Sequence, residues 1–229
     1  MLLVNLISLA FTTNSPLFPP TTNFALIVID MQNKFSASGS PAGIAEAVAT
    51  VEHMRKYAAS GRAHVFYTQH GYLNGTTCDG HHEYKRHNDA RNDTTECELD
   101  TVGTRGFALI DELSPLASEP VIRKEQFDAF FATSLHAMLQ ERAVDTVVLV
   151  GWMTNVCVAG TARGAFARDY RVVVLSDATG TADGPGTQAA TLRTIDEIVA
   201  DVMPAARFRR EMERALTAGP TNRGWWWWW

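Results

Sequence analysis

Three residues in this chain are of the types needed for nucleophilic acyl transfer: Cys157, Asp30 and Lys124. Cys157 lies in VVLVGWMTNVCVAGTARGAF, where an apolar run and Gly151 turn into a segment with helical character. A thiol at that junction faces the positive end of a helix, which favours thiolate. An ammonium beside it adds to that effect, and a carboxylate can take a proton on attack and deliver it to a leaving amine. The backbone amides of Met153 and Cys157, at the helix start, are the natural donors to an oxyanion. Each side chain also has an inert reading: a buried cysteine, an aspartate capping a turn, a solvated lysine at a strand end.

The elements that must position these residues can be read from hydropathy. Residues 24–29 (FALIVI) form a continuous apolar run ending at Asp30, the pattern of a strand buried on both faces. Further strands are expected at 63–68, 120–124, 146–150 and 171–175, with a short last one near 199–202. Helices are expected at 43–60, 129–143, 154–169, 186–198 and 208–216, from apolar residues at helical spacing. Strands alternating with helices give an α/β fold, a parallel sheet covered on both faces by right-handed crossovers. Ligands in such sheets bind beyond the carboxyl ends of the strands. Asp30, Lys124 and Cys157 each stand at or just after such an end, which favours the catalytic reading over three independent inert ones.

Composition bounds the partners. The chain has 229 residues, suited to one α/β domain, with 46% hydrophobic residues and a net charge of −5. That charge argues against nucleic acid or an anionic membrane surface and leaves a small molecule as the ligand. Four lysines against sixteen arginines make a lysine in an apolar setting, such as Lys124, less of an accident. Three cysteines are too few for a disulfide scaffold, so free thiols and a cytoplasmic location are expected, with a Cys78–Cys97 bridge left open. The apolar start, MLLVNLISLAF, lacks a basic region, and secretion is the lesser reading. Residues 1–22 read as an N-terminal extension, 23–217 as the catalytic domain, and 218–229 as a low-complexity tail ending in five tryptophans. The polar stretch 69–104 holds His70, His81, His82 and His87 and reads as lid material, more readily solvated than metal-binding.

Three motifs carry a family resemblance: ALIVIDMQNKF around Asp30, VIRKEQFDAFFATSL around Lys124, and VDTVVLVGWMTNVCVAGTARGAFARDYRVVVLSDATGT around Cys157. Over about residues 24–200 the chain resembles the isochorismatase-like cysteine hydrolases. The resemblance implies a doubly wound, mostly parallel six-stranded sheet with helices on both faces, a homodimer or homotetramer, and an Asp30/Lys124/Cys157 triad. It also implies a cis peptide between Trp152 and Met153.

Family members that hydrolyse the vinyl ether of isochorismate often lack the cysteine. Its presence here points to attack on an amide or ureido carbonyl, release of ammonia or an amine, and hydrolysis of a thioester. Nicotinamidase-like relatives carry a metal-binding Asp-x-His after the second strand; this chain has Thr68-Gln69-His70, with no carboxylate, so neither metal nor other cofactor is expected. The better likeness is to metal-free biuret, ureidoacrylate and carbamoylsarcosine amidohydrolases. On that reading Phe35, Phe127 and Trp152 wall a small pocket, and Asn155 or Gln188 binds a substrate amide. Gln188 stands where many relatives have histidine, and Lys34 and Gly164 where aspartate is common. The alternatives are an isochorismatase working by acid catalysis and a catalytically inactive, secreted interaction protein.

Overall fold

The computed structural model describes residues 16–36, 41–71 and 101–218. Six strands, β1 (Phe24–Ile29), β2 (Ala63–His70), β3 (Val121–Lys124), β4 (Thr146–Trp152), β5 (Arg171–Gly180) and β6 (Asp201–Met203), form one sheet. Their order is β3-β2-β1-β4-β5-β6, and all five pairings are parallel. The helices are α1 (Asn33–Ser36), α2 (Pro41–Lys56), α3 (Leu135–Glu141), α4 (Ala159–Phe166), α5 (Gly184–Ile198) and α6 (Ala205–Thr217). The sheet is therefore doubly wound, with its winding reversing between β1 and β4, where such sheets place their ligands.

β1 is buried at all six positions because strands flank it and helices cover both faces. Its side chains alternate between two cores. Phe24, Leu26 and Val28 pack with Val51 and Met54 of α2 and Phe208 of α6, while Ala25, Ile27 and Ile29 pack with Leu135, Ala162 and Ile195 on the other face. Phe18, inside the stretch read as an extension, is fully buried and meets Phe24 edge-on at 5.1 Å. No helix among the described residues is long and apolar enough to cross a membrane.

The expected elements differ mainly at the ends that carry chemistry. β2 and β5 run further than expected, to His70 and Gly180, because those residues pair with Lys124 and Trp152 on neighbouring strands. The helix expected over 129–143 is confined to α3. Before it, Ala132 turns left-handed at φ 52°, and the Thr133 hydroxyl donates to the Ala129 carbonyl at 2.5 Å, the acceptor that a helix would give to the Thr133 amide. Such local bonds compete with the helical ladder, although the apolar spacing alone mimics a helix. The helix expected from 154 opens as a π-turn, Thr154–Val158, before α4.

Candidate active site

Asp30 leaves β1 with φ 48°, a left-handed backbone that aspartate tolerates better than most residues. Lys124 closes β3, and Cys157 sits in the π-turn that follows β4. β3 lies two strands from β1, at about 4.8 Å per strand, so only a long side chain reaches back to the switch point. Lysine supplies that reach. Its Nζ lies 2.6 Å from Asp30 Oδ2, and it donates to Cys157 Sγ at 3.4 Å and to the Gln126 carbonyl at 2.9 Å. The side chains of Lys124 and Asp30 are both fully buried, and Cys157 is 6% exposed. The fold thus joins three residues separated by up to 127 positions in the chain (157 − 30).

Thr68 completes the carboxylate's surroundings. From β2 it donates through Oγ1 to Asp30 Oδ1 at 2.6 Å, and the same oxygen accepts the Asp30 amide at 3.2 Å. Burial works to raise the Asp30 carboxyl, but Lys124, His70 and the Thr68 hydroxyl hold it below its ordinary value. Burial likewise opposes the Lys124 ammonium, and Asp30 and Cys157 nevertheless raise its pKa. The Cys157 thiol is pushed up to about 12 by burial and by the Asp30 carboxylate, which together outweigh Lys124. The resting site is therefore carboxylate, ammonium and neutral thiol, not the thiolate expected from the helix start. Desolvation at the buried sulfur exceeds the favourable terms that sequence position suggests.

The turn that presents Cys157 depends on Gly151. Its φ is 116°, and a Cβ there would collide with the Ile29 carbonyl on β1. β4 also shifts register against β5 between Leu149 and Gly151. The Trp152–Met153 peptide is cis, as the resemblance implies. Met153 then caps the π-turn, its carbonyl accepting the amides of Val156 and Val158, each at 3.1 Å. The π-turn places Cys157 on the first turn of a continuous helical segment that α4 extends.

The residues expected to bind substrate fare unevenly. Trp152 is fully buried in the core and offers no face to a ligand. Phe127 is 43% exposed, and Phe35 is half-buried with the Lys34 ammonium 4.4 Å over its ring. Asn155 is held by protein partners: its Nδ2 donates to Asp183 at 2.8 Å and its Oδ1 accepts from Thr181 at 2.7 Å. Gln188 Nε2 donates to the Thr179 carbonyl and hydroxyl, both at 3.3 Å. His81, His82, His87, Cys78 and Cys97 lie outside the described residues, as does the tryptophan run.

Two polar residues of the site went unread as such in the sequence. Thr68 figured only as the place where a metal-binding carboxylate is lacking; its position at the end of β2, beside the Asp30 strand, was the available signal. Gln32 is fully buried, accepts the His70 amide at 2.9 Å and donates to the carbonyls of His70 and Phe107 at 3.1 and 2.8 Å. A glutamine two residues beyond a strand-end aspartate carries no signature of that bridging role.

Known proteins agree with this architecture. The family model of the isochorismatase domain matches residues 24–207. The chain is 32% identical over 213 residues to the ureidoacrylate amidohydrolase RutB of Methylorubrum extorquens, covering 86% of this chain and 84% of that protein. It is 31% identical over 230 residues to RutB of Cronobacter turicensis, covering 94% and 99%. A cysteine hydrolase from Pseudomonas syringae pv. phaseolicola superposes with a TM-score of 0.71 at 25% identity, covering 88% of this chain and 96% of that one. N-carbamoylsarcosine amidase from Thermoplasma acidophilum does so with a TM-score of 0.61 at 25% identity, covering 80% and 97%. The chain belongs to the isochorismatase family.

Proposed function

We propose that this chain, a hydrolase acting on carbon–nitrogen bonds, cleaves a small linear amide or ureide through a thioester on Cys157. The observation that carries the reading is the buried contact of Lys124 with both Asp30 and Cys157, at 2.6 and 3.4 Å. Relatives named as a ureidoacrylate amidohydrolase and an N-carbamoylsarcosine amidase support the substrate class.

The chemistry follows from the charge state. A free thiolate beside a protonated Asp30 is the unfavourable arrangement, because burial raises the thiol while Lys124 holds the carboxyl down. Proton transfer from Sγ to Asp30 therefore accompanies formation of the sulfur–carbon bond. The carbonyl oxygen takes the electron pair and is met by the amides of Met153 and Cys157. Asp30 then gives its proton to the leaving nitrogen as the carbon–nitrogen bond breaks. In the second half, Asp30 takes a proton from water attacking the thioester and returns it to sulfur. Lys124 keeps its proton throughout and holds the negative charge in place.

A panel of linear amides, ureides and isochorismate, assayed for ammonia, amine and pyruvate, tests the proposal. Nitrogen release that disappears in Cys157→Ala, Cys157→Ser and Asp30→Asn is expected. Undiminished turnover in any of these folded variants refutes the covalent route, and pyruvate release from isochorismate surviving Cys157→Ala identifies acid catalysis instead.

A further inference from the structure

The segment after Lys124 is fastened to α4 at three places. Thr161 Oγ1 accepts the Ala129 amide at 3.1 Å and donates to the Phe127 carbonyl at 3.4 Å. Gly160 lets the Phe127 backbone close in, since a Cβ there would stand 3.3 Å from the Phe127 carbonyl carbon. One turn further on, a Cβ on Gly164 would overlap the Asp128 carboxylate, with Cγ only 2.6 Å away. That carboxylate accepts the Phe130 amide at 2.9 Å and faces Arg168 at 4.0 Å. The Arg168 guanidinium in turn lies 4.9 Å over the Phe130 ring.

Both ends of this fastening lead to the site. Lys124 begins the segment and donates to its Gln126 carbonyl, while α4 continues without a break from the π-turn holding Cys157. A shift of the segment along α4 therefore moves the ammonium relative to the sulfur. Only glycine at position 164 leaves room for Asp128 as it sits.

We infer that Asp128, seated in the notch left by Gly164, and Thr161 beside it are positioning residues that set the contact between Lys124 and Cys157. This rests on the proposed roles of those two residues. None of the three need touch substrate; they act through the loop that carries Lys124.

The test uses the full chain with Asp128→Ala, Gly164→Ala, Thr161→Val and the exchange Asp128→Ala/Gly164→Asp. The three single variants are expected to lose about tenfold to a hundredfold in kcat, the scale of a 1 Å misplacement, with KM changed by no more than about twofold. Alkylation of Cys157 by iodoacetamide at alkaline pH, read on its own tryptic peptide, is expected to slow in the same variants. The exchange, which returns a carboxylate to the notch from the helix side, is expected to recover kcat to within about threefold of wild type. Single variants that keep wild-type kcat and alkylation overturn the inference, as does an exchange no better than Asp128→Ala. Thr161→Val leaves the carboxylate seated, so it remains informative if the notch variants fold poorly. A wild-type chain that hydrolyses no amide defeats the proposed function, whereas the alkylation rates still decide the positioning role.

Discussion

Replacing Lys124 by methionine isolates the ion pair at the centre of this site. The side chain keeps similar length and remains in apolar surroundings, but Asp30 then faces a fully buried site with the Thr68 hydroxyl as its hydrogen-bond donor. Breaking a buried pair in this way costs about 3–5 kcal/mol, because one charge is left uncompensated. For a domain of this size that corresponds to a melting temperature lower by roughly 6–20 °C. The sign of the pH dependence is fixed by the shifts. In the wild type Asp30 sits below its ordinary value of 3.8, so its share of stability is present above that pH and is lost as pH falls through the lowered value. Lys124 sits above 10.5, so its share is present below that pH and is lost as pH rises through the raised value. In Lys124→Met, burial of Asp30, the largest influence on it, is opposed by His70 and the Thr68 hydroxyl without the ammonium, and its pKa rises, so the variant gains stability relative to wild type as pH falls from 8 toward 4. Urea unfolding at several pH values measures this. Asp30→Asn/Lys124→Met, with no charge left to bury, is expected to recover to within about 2 kcal/mol of wild type. A deficit below about 1 kcal/mol at pH 8, or one independent of pH, refutes the argument that the pair is buried and coupled.

Thr68→Val removes a charged hydrogen bond while keeping the side-chain volume, and urea unfolding at neutral pH should register a loss of about 1.5–3 kcal/mol. Gly151→Ala and Gly61→Ala share a positive φ but not their surroundings: a Cβ at 151 meets the β1 backbone, whereas nothing lies within 4 Å at 61. The first should cost about 3 kcal/mol or more and the second only about 1–2, so equal unfolding midpoints contradict the close approach of β4 to β1.

Much of the site was legible because strand ends in a parallel sheet are recognisable from local hydropathy. The run FALIVI ending in Asp30, the short strand ending in Lys124 and the strand before Cys157 place all three residues at one edge of the sheet. What misled was also local. Residues 129–134 have helical spacing, yet Ala132 stands at φ 52° and the Thr133 hydroxyl takes the Ala129 carbonyl that a helical ladder needs. Trp152, beside the cysteine turn, looks like a pocket wall, but as the last residue of β4 it points into the core.

The amino-acid sequence by itself determined the α/β class, the alternation of elements and the identity of the three grouped side chains, because these depend on periodicity and residue type. The tertiary structure alone decided their state. Whether Cys157 rests as thiol or thiolate depends on how completely sulfur is stripped of water and on a carboxylate brought from a strand 127 positions away (157 − 30). The meaning of Gly164 was settled in the same way, since a glycine shows its purpose only when the side chain filling its empty space, that of Asp128, is in view.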